Sequence, residues 1–529
     1  MPALSQDDAG TASGGPSSAG PSALRAYLAD AGLAPIAIAL TVLAILLPTV
    51  IVPYGFSDDY SYLWMAVSGE PSGQFGKNIF QVSAASGRPL TGLISTLFFG
   101  AAGTIDHLRF IRIFGVLGVV ALALSVHWAL LRSAVRPLLA ALMAVFICTL
   151  PPLQVYVAWT LLWTAPYAAL LAGGASVLAV SVADRPLRLA WRRIAGAIVL
   201  LIAALLLYQP PAMFFWVFLA IALVGTVDDP ARTLRLVRVH LLVAGSALAL
   251  AYIELKLTVL YLGADTPGAA RGGLSHDVLG RLHWFIEQPL YQALNVFDLT
   301  PSHGVAAVVA VVSLGGMALG LWSRATRPWL HMSIAVLLIP LSYLPNLVVK
   351  EEWPPFRTQA ALSALVALYL GLGAIGIWLW LAQWARPRLR TEIIVGARRL
   401  ALLVAVGVVG TSCFVAATNI SSLIVEPQMT ELRMLRGQLL ALPPDAPRVI
   451  VVQTDWYSGM TSTVAYDEFG FATSVRLWAM GPAVQLILHD AGRLSETYPG
   501  PTIDYYLSGS YEFPEGVPVL DLRGLRQLR

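Results

Sequence analysis

Residues 34–62 read APIAIALTVLAILLPTVIVPYGFSDDYSY. The stretch from Ala34 to Pro53 carries no charge, and about 20 apolar residues are what a helix needs to cross a bilayer. Two carboxylates, Asp58 and Asp59, stand at the mouth of that run. A charged pair at a membrane boundary is costly to desolvate, and this marks it for function. A local reading competes: Ser57, Asp58 and Asp59 can accept hydrogen bonds from the first N–H groups of a helix over 60–69. The two roles are compatible, because one aspartate can cap while the other reacts as a general base or holds a cation.

The rest of the chain shares the character of this stretch. Its 529 residues are 57% hydrophobic and 12% charged, with mean hydropathy +0.71. Soluble domains carry roughly 25% charged residues, so a water-soluble fold is excluded. Cys148 and Cys413 lie in separate apolar runs and read as small core residues. Residues 1–33 begin with a Gly-, Ser-, Ala- and Pro-rich tail expected to be disordered. Apolar windows predict about eleven spans, near 34–53, 108–131, 137–151, 161–182, 194–208, 211–227, 239–262, 304–322, 329–349, 356–384 and 399–419. The run 89–103 is short and is expected to lie at the interface.

Arginine placement sets the expected orientation. With 89–103 on the surface and a cytoplasmic N-terminus, the inner loops are RSAVRP, DRPLRLAWRR, DDPARTLRLVR, SRATRP and ARPRLRTEIIVGARR, holding 16 arginines. That is the positive-inside pattern. The membrane unit is then 34–420. Residues 421–529 form an extracytoplasmic α/β domain, with alternation at 448–454 and 517–523. The polar motifs all fall on the outer side: SDDY, GRPL, PPLQVYVAW, YQPP, the loop 263–303 and KEEWPPFR.

Each motif carries two readings. Arg88 offers a planar fork to phosphate oxygens, or snorkels to headgroups. Arg109 and Arg112 sit on the side that the charge bias disfavours, so they bind an anion or pair with a carboxylate such as Asp106. Tyr208 and Gln209, like Trp159, can hydrogen-bond a sugar or serve as turn and interface residues. Glu254, inside a span, is a candidate to line a cavity, while Lys256 snorkels. His283 and Glu287 share a helix face, which suits a metal or a solvated loop helix. Lys350, Glu351, Glu352 and Arg357 flank a WPP turn; Arg357 either meets a lipid-linked phosphate or pairs with a neighbouring glutamate.

Together these motifs resemble the GT-C type of polytopic membrane glycosyltransferase, over about the first 370 residues. The run 87–118, GRPLTGLISTLFFGAAGTIDHLRFIRIFGVLG, is similar to that region of lipid-A aminoarabinose and mannosyl transferases. It departs from them at GRPL, where they carry a Lys-Pro-Pro-Leu run. The set SDDY, GRPL and YQPP resembles most the bacterial GtrII-like glucosyltransferase group. The resemblance implies a mainly α, polytopic fold and an inverting transfer from a polyprenyl-phosphate sugar to a glycan, lipid or protein acceptor. The reaction would run on the outer face of a bacterial inner membrane. Asp58 or Asp59 would be the base, and Arg88, Arg357 and Lys350 would hold the donor phosphate. Tyr60, Trp159, Tyr208, Gln209 and Glu254 would line the substrate site. Family members differ in using a divalent metal ion at the acidic motif. A lipid-linked saccharide flippase, or an O-antigen ligase or polymerase, is the rival reading, but the chain shows no internal repeat of the transporter kind.

Overall fold

The computed structural model describes residues 32–68, 78–183, 187–263, 265–266, 268–386, 390–444, 446–453, 468–495, 498–506 and 512–527. Most of the N-terminal tail and the stretch 454–467 therefore lie outside the described residues.

Helices dominate. In chain order the ones used below are α1 (Ala34–Leu46), α2 (Asp58–Ser68), α3 (Ile79–Ala85), α4 (Pro89–Ala102), α5 (Leu108–Arg132), α6 (Pro137–Cys148), α7 (Pro151–Ala158), α8 (Ala165–Val182), α9 (Leu187–Leu207), α10 (Phe214–Val224), α11 (Pro230–Leu262), α12 (Val278–Phe285), α13 (Gly316–Trp322), α14 (Pro328–Leu341), α15 (Ala360–Ala385), α16 (Thr391–Thr418), α17 (Glu426–Ala441) and α18 (Leu477–Asp490).

Every expected span contains an apolar helix, but not every one is long enough to cross. Among the described residues seven helices have the length and hydropathy of a span, or eight if the bent pair α6–α7 counts as one. The eleven expected are not confirmed at that count, and proline is the main reason. Pro48 follows α1 after 13 residues, and the pair Pro151–Pro152 opens α7 at 58° to α6. Proline removes an N–H donor and clashes with the preceding turn. Helices Ala34–Leu46, Gln209–Val224 and Pro328–Leu341 stay short and apolar, as does α4.

The helices pack through small and periodic faces. Ile38, Val42, Ile45 and Leu46 put one face of α1 against α5 and α6. Ala168, Ala169, Ala172, Gly173, Ala175, Ser176 and Ala179 give α8 a buried small-residue face. Two interior polar pairs bridge helices: Ser176 meets His240 at 3.0 Å, and Thr233 meets His331 at 3.1 Å.

A very tight contact joins α13 and the π-turn before it, Val311–Gly315, to α15. A Cβ on Gly373 would stand 2.1 Å from the Val312 carbonyl oxygen, and one on Gly376 would stand 2.1 Å from that of Gly316. Small residues let membrane helices approach this closely. Gly373→Ala is therefore expected to force the backbones apart and destabilise by about 1–3 kcal/mol. A lower thermal midpoint in detergent, beside an unchanged one for Gly407→Ala, checks it; a Cβ at Gly407 meets no atom within 4 Å.

The last span does not stop at the end of its apolar run. α16 passes through a π-turn, Asn419–Val425, into α17, so that Thr391–Ala441 is one 51-residue helical run. Beyond it lies a three-stranded parallel sheet of order β2-β1-β3, with β1 (Arg448–Val452) in the centre, β2 (Thr502–Tyr506) and β3 (Val519–Asp521). Parallel neighbours need a crossover, and α18 supplies one between β1 and β2. Alternation in the sequence marked β1 and β3; β2 was missed.

This C-terminal segment shares a core with the loop that carries the acidic pair. Tyr60, Tyr62, Leu63 and Met65 of α2 are buried in one cluster with Phe99, Ile105, Leu432, Leu435, Met480, Val484 and Ile487. The apolar side of the acidic helix is thus covered in part by residues about 370 or more positions further along the chain.

Candidate active site

The helix that carries the acidic pair begins at Asp58 itself. Neighbouring residues on a helix point about 100° apart, so the two carboxylates meet different surroundings.

Asp59 faces inward and is fully buried. Its carboxylate accepts N–H bonds from Phe56 at 3.1 Å, Thr160 at 3.2 Å and Leu161 at 2.9 Å. Arg112, also fully buried, brings its guanidinium to 3.9 Å. The same guanidinium donates to the carbonyls of Thr49 and Tyr54 and lies over the Tyr54 ring. Burial pushes the Asp59 carboxyl up to about 6, while Arg112 and the N–H donors pull it down. Asp59 thus ties the loop before α2 to α5 and to the turn after α7. Arg112 thus pairs with a carboxylate, but with Asp59 and not with Asp106, which meets Arg436 of α17 at 2.8 Å. Arg112 is closer to the inward-facing aspartate because it lies one further turn into the helix.

Asp58 faces a cavity of about 290 Å³. Its Oδ1 accepts from the Trp478 indole N–H at 2.7 Å and from the Ser57 hydroxyl at 3.3 Å. The cavity is also lined by Tyr62, Ser83, Arg88, Tyr208 and Arg271. It sits where α2, α3, the start of α4 and the turn before Gln209 converge, at one end of the bundle.

Arg88 is set by the two loops on either side of it. Gly87 takes φ +73, a left-handed conformation that glycine adopts without strain. The Gln209 amide donates to the Gly87 carbonyl at 2.6 Å, and its oxygen accepts from Arg88 Nε at 3.1 Å. The guanidinium lies 4.4 Å from the centre of the Tyr208 ring. Burial pushes Arg88 below its ordinary value, and the like charge of Arg271 pushes the same way. Arg271 reaches the cavity from the loop before α12. That loop is pinned by an antiparallel bridge, with Ser275 N–H on the Val348 carbonyl and Lys350 N–H on the Gly273 carbonyl, both at 2.9 Å. Two guanidiniums and one carboxylate around a single cavity form an arrangement that suits an anion beside a proton acceptor.

The other sequence candidates stand elsewhere. Arg357 Nη1 meets the buried Glu468 carboxylate at 2.8 Å, and the N–H groups of Phe356 and Arg357 donate to it as well. Its partner is Glu468, not Glu351 or Glu352. Trp159 is buried beside Phe56, and its ring lies 5.1 Å from the Arg357 guanidinium. Tyr60 is buried in the core shared with the C-terminal segment. Lys350 is exposed. Glu254 accepts from the Thr258 hydroxyl at 2.9 Å, one turn along α11. His283 and Glu287 form an exposed pair at 3.2 Å.

The acidic motif does not gather a metal-ligand set. The Asp59 carboxylate is taken up by three N–H groups and Arg112, and Asp58 is the single carboxylate among the cavity residues. No group of three His, Cys, Asp or Glu suited to a metal occurs among the described residues.

Sequence reasoning missed Arg271 and Trp478. Arg271 stands between Ala and Gly residues in a loop whose histidines and acids drew attention instead. Trp478 gives no local signal, because its partner is 420 residues away.

No protein-family model matches the chain, and no curated protein matches it in sequence. Solved structures do align with it. Crystal structures of the Archaeoglobus fulgidus oligosaccharyltransferase, one complexed with Zn and sulfate and one in the apo form, superpose with TM-scores of 0.45 and 0.44 at 13% identity. The alignments cover 86% and 88% of this chain but 61% and 64% of the oligosaccharyltransferase. The chain thus spans about three fifths of that enzyme's length, and at this similarity the functional reading rests on the cavity itself.

Proposed function

We propose that this protein is a membrane glycosyltransferase of the GT-C type, GtrII-like in its motifs, that transfers one sugar from a polyprenyl-phosphate donor to a cell-envelope acceptor. The observation that carries the reading is the cavity with Asp58 on one side and Arg88 and Arg271 on another. Its volume is near the lower end of small-molecule pockets, in keeping with a single sugar and its phosphate. The seven apolar helices and the arginine-rich inner loops support a multi-pass protein of a bacterial inner membrane, with the cavity on the outer side.

The chemistry needs a base, a leaving-group clamp and alignment. Asp58 takes the proton of the acceptor hydroxyl as its oxygen bonds to the anomeric carbon. The bond from that carbon to the phosphate oxygen breaks, and its electron pair leaves with the polyprenyl phosphate. Arg88 and Arg271 meet the charge growing on the leaving phosphate, where fixed charges act most strongly. A single displacement inverts the anomeric centre. Tyr208 and Gln209 hold Arg88 in place. Among the sequence candidates, Arg357, Trp159, Tyr60, Glu254 and Lys350 act outside the cavity in this reading.

The test is transfer by purified full-length protein from a panel of polyprenyl-phosphate sugars. Arg88→Ala and Arg271→Ala are each expected to raise the donor KM about tenfold or more, the scale of a lost charge-assisted hydrogen bond. Transfer from diphosphate-linked donors in place of the monophosphates would overturn the reading.

A further inference from the structure

Among the described residues, the C-terminal segment reaches the cavity through Trp478, at the end of the stretch 473–478. Four contacts join that stretch to the acidic loop. The Ser57 N–H donates to the Thr473 hydroxyl at 3.0 Å, and the Arg476 guanidinium donates to the Ser57 hydroxyl. The Ser61 hydroxyl donates to the Trp478 carbonyl at 3.2 Å. The Trp478 indole N–H donates to Asp58 Oδ1 at 2.7 Å.

Ser57 needs such support. Its φ is +51, a left-handed conformation that costs a residue with a side chain roughly 1–2 kcal/mol. Strained residues of this kind persist where the surroundings over-determine them. The strap itself is anchored from behind. Buried Glu431 of α17 accepts the N–H groups of Thr473 and Ser474, and Gln428 accepts from the Thr473 hydroxyl at 2.7 Å. Among the described residues, both bonds to Asp58 reach Oδ1, which leaves Oδ2 to the cavity.

We infer that Trp478 is a positioning residue for Asp58: its indole N–H fixes the carboxylate so that the free oxygen points at the acceptor hydroxyl. The inference rests on Asp58 being the base. It assigns the C-terminal segment a part in the reaction beyond covering the first loop. The indole N–H is committed to Asp58, so its removal is expected to act on turnover and not on donor binding.

Trp478→Phe keeps a ring and removes the donor. It is expected to lower kcat about tenfold, with donor KM within twofold and an unchanged thermal midpoint. In an Asp58→Asn background the same change should cost nothing further, because the two residues act as one unit. Trp478→His, which keeps a ring N–H, should recover part of the rate. Effects that multiply in the double variant, or a Trp478→Phe protein with wild-type kcat, would overturn the inference. Those outcomes leave the proposed reaction standing, whereas wild-type transfer by Asp58→Asn sinks the reaction itself. A readout without substrate runs alongside: carbodiimide labelling of Asp58, located by mass spectrometry, should be severalfold faster in Trp478→Phe. An unchanged labelling rate counts against the inference.

Discussion

Asp58→Asn is expected to abolish transfer, lowering kcat by about 10²–10⁴-fold, the contribution of a positioned general base. Asparagine keeps the size of the side chain and still accepts from the Trp478 indole N–H and the Ser57 hydroxyl through its amide oxygen. What it lacks is a carboxylate to take the proton. The cavity shape, the arginines and the donor site remain, so donor KM should hold. The measurement is single-turnover transfer with saturating donor, beside the thermal midpoint. A variant that binds donor and turns over at wild-type rate would exclude Asp58 as the base. Asp59→Asn cannot stand in as the control, because Asp59 has a different duty.

That duty sets the second large effect. Asp59 and Arg112 are both fully buried and 3.9 Å apart. Removing one partner leaves a buried charge without compensation, which costs about 3–5 kcal/mol. Asp59→Ala and Arg112→Ala are each expected to lower the thermal midpoint sharply and to cut the yield of folded protein. Replacing both together with apolar residues of similar size should recover much of the loss, since a buried pair often adds little net stability. Single variants that melt like the wild type would show that the pair carries no structural weight.

The same carboxyl gives a pH signature. Burial holds the folded-state value near 6, above the ordinary 3.8. A carboxyl raised in the folded state adds stability that is fully present below its unfolded value and is lost as pH rises through the folded one. The Asp59 contribution therefore grows on acidification from pH 7 towards 4. Asparagine cannot titrate, so the gap in thermal midpoint between wild type and Asp59→Asn is expected to widen over that window. A constant gap would argue against the raised value.

The contrast between the two aspartates shows where sequence reasoning reaches and where it stops. Their presence after the first apolar run was plain from residue types alone. Their division of labour was not, because it depends on which helix face meets α5, and Arg112 decides that from another element. The GRPL and YQPP motifs were visible as polar turns, and the structure brings them together through Arg88 and Gln209. Arg357 looked equivalent to Arg88 in sequence, since each is a cation near an outer helix end. It differs because Glu468, more than 100 residues on, meets it. The helices were legible in outline because hydropathy is local and cumulative. Their lengths were less so, because prolines at 48, 151 and 340 act on backbone geometry that an apolar average ignores.

The contact between Asp58 and Trp478 also bears on the order in which the chain is made. The two residues are 420 positions apart. At about 5–20 residues per second, the carboxylate leaves the ribosome roughly 20–80 seconds before the indole that completes its surroundings. Until then the apolar side of α2, with Tyr60 and Leu63, waits uncovered. Under the proposed reaction, a nascent chain at that stage holds Asp58 without the indole that aims its carboxylate.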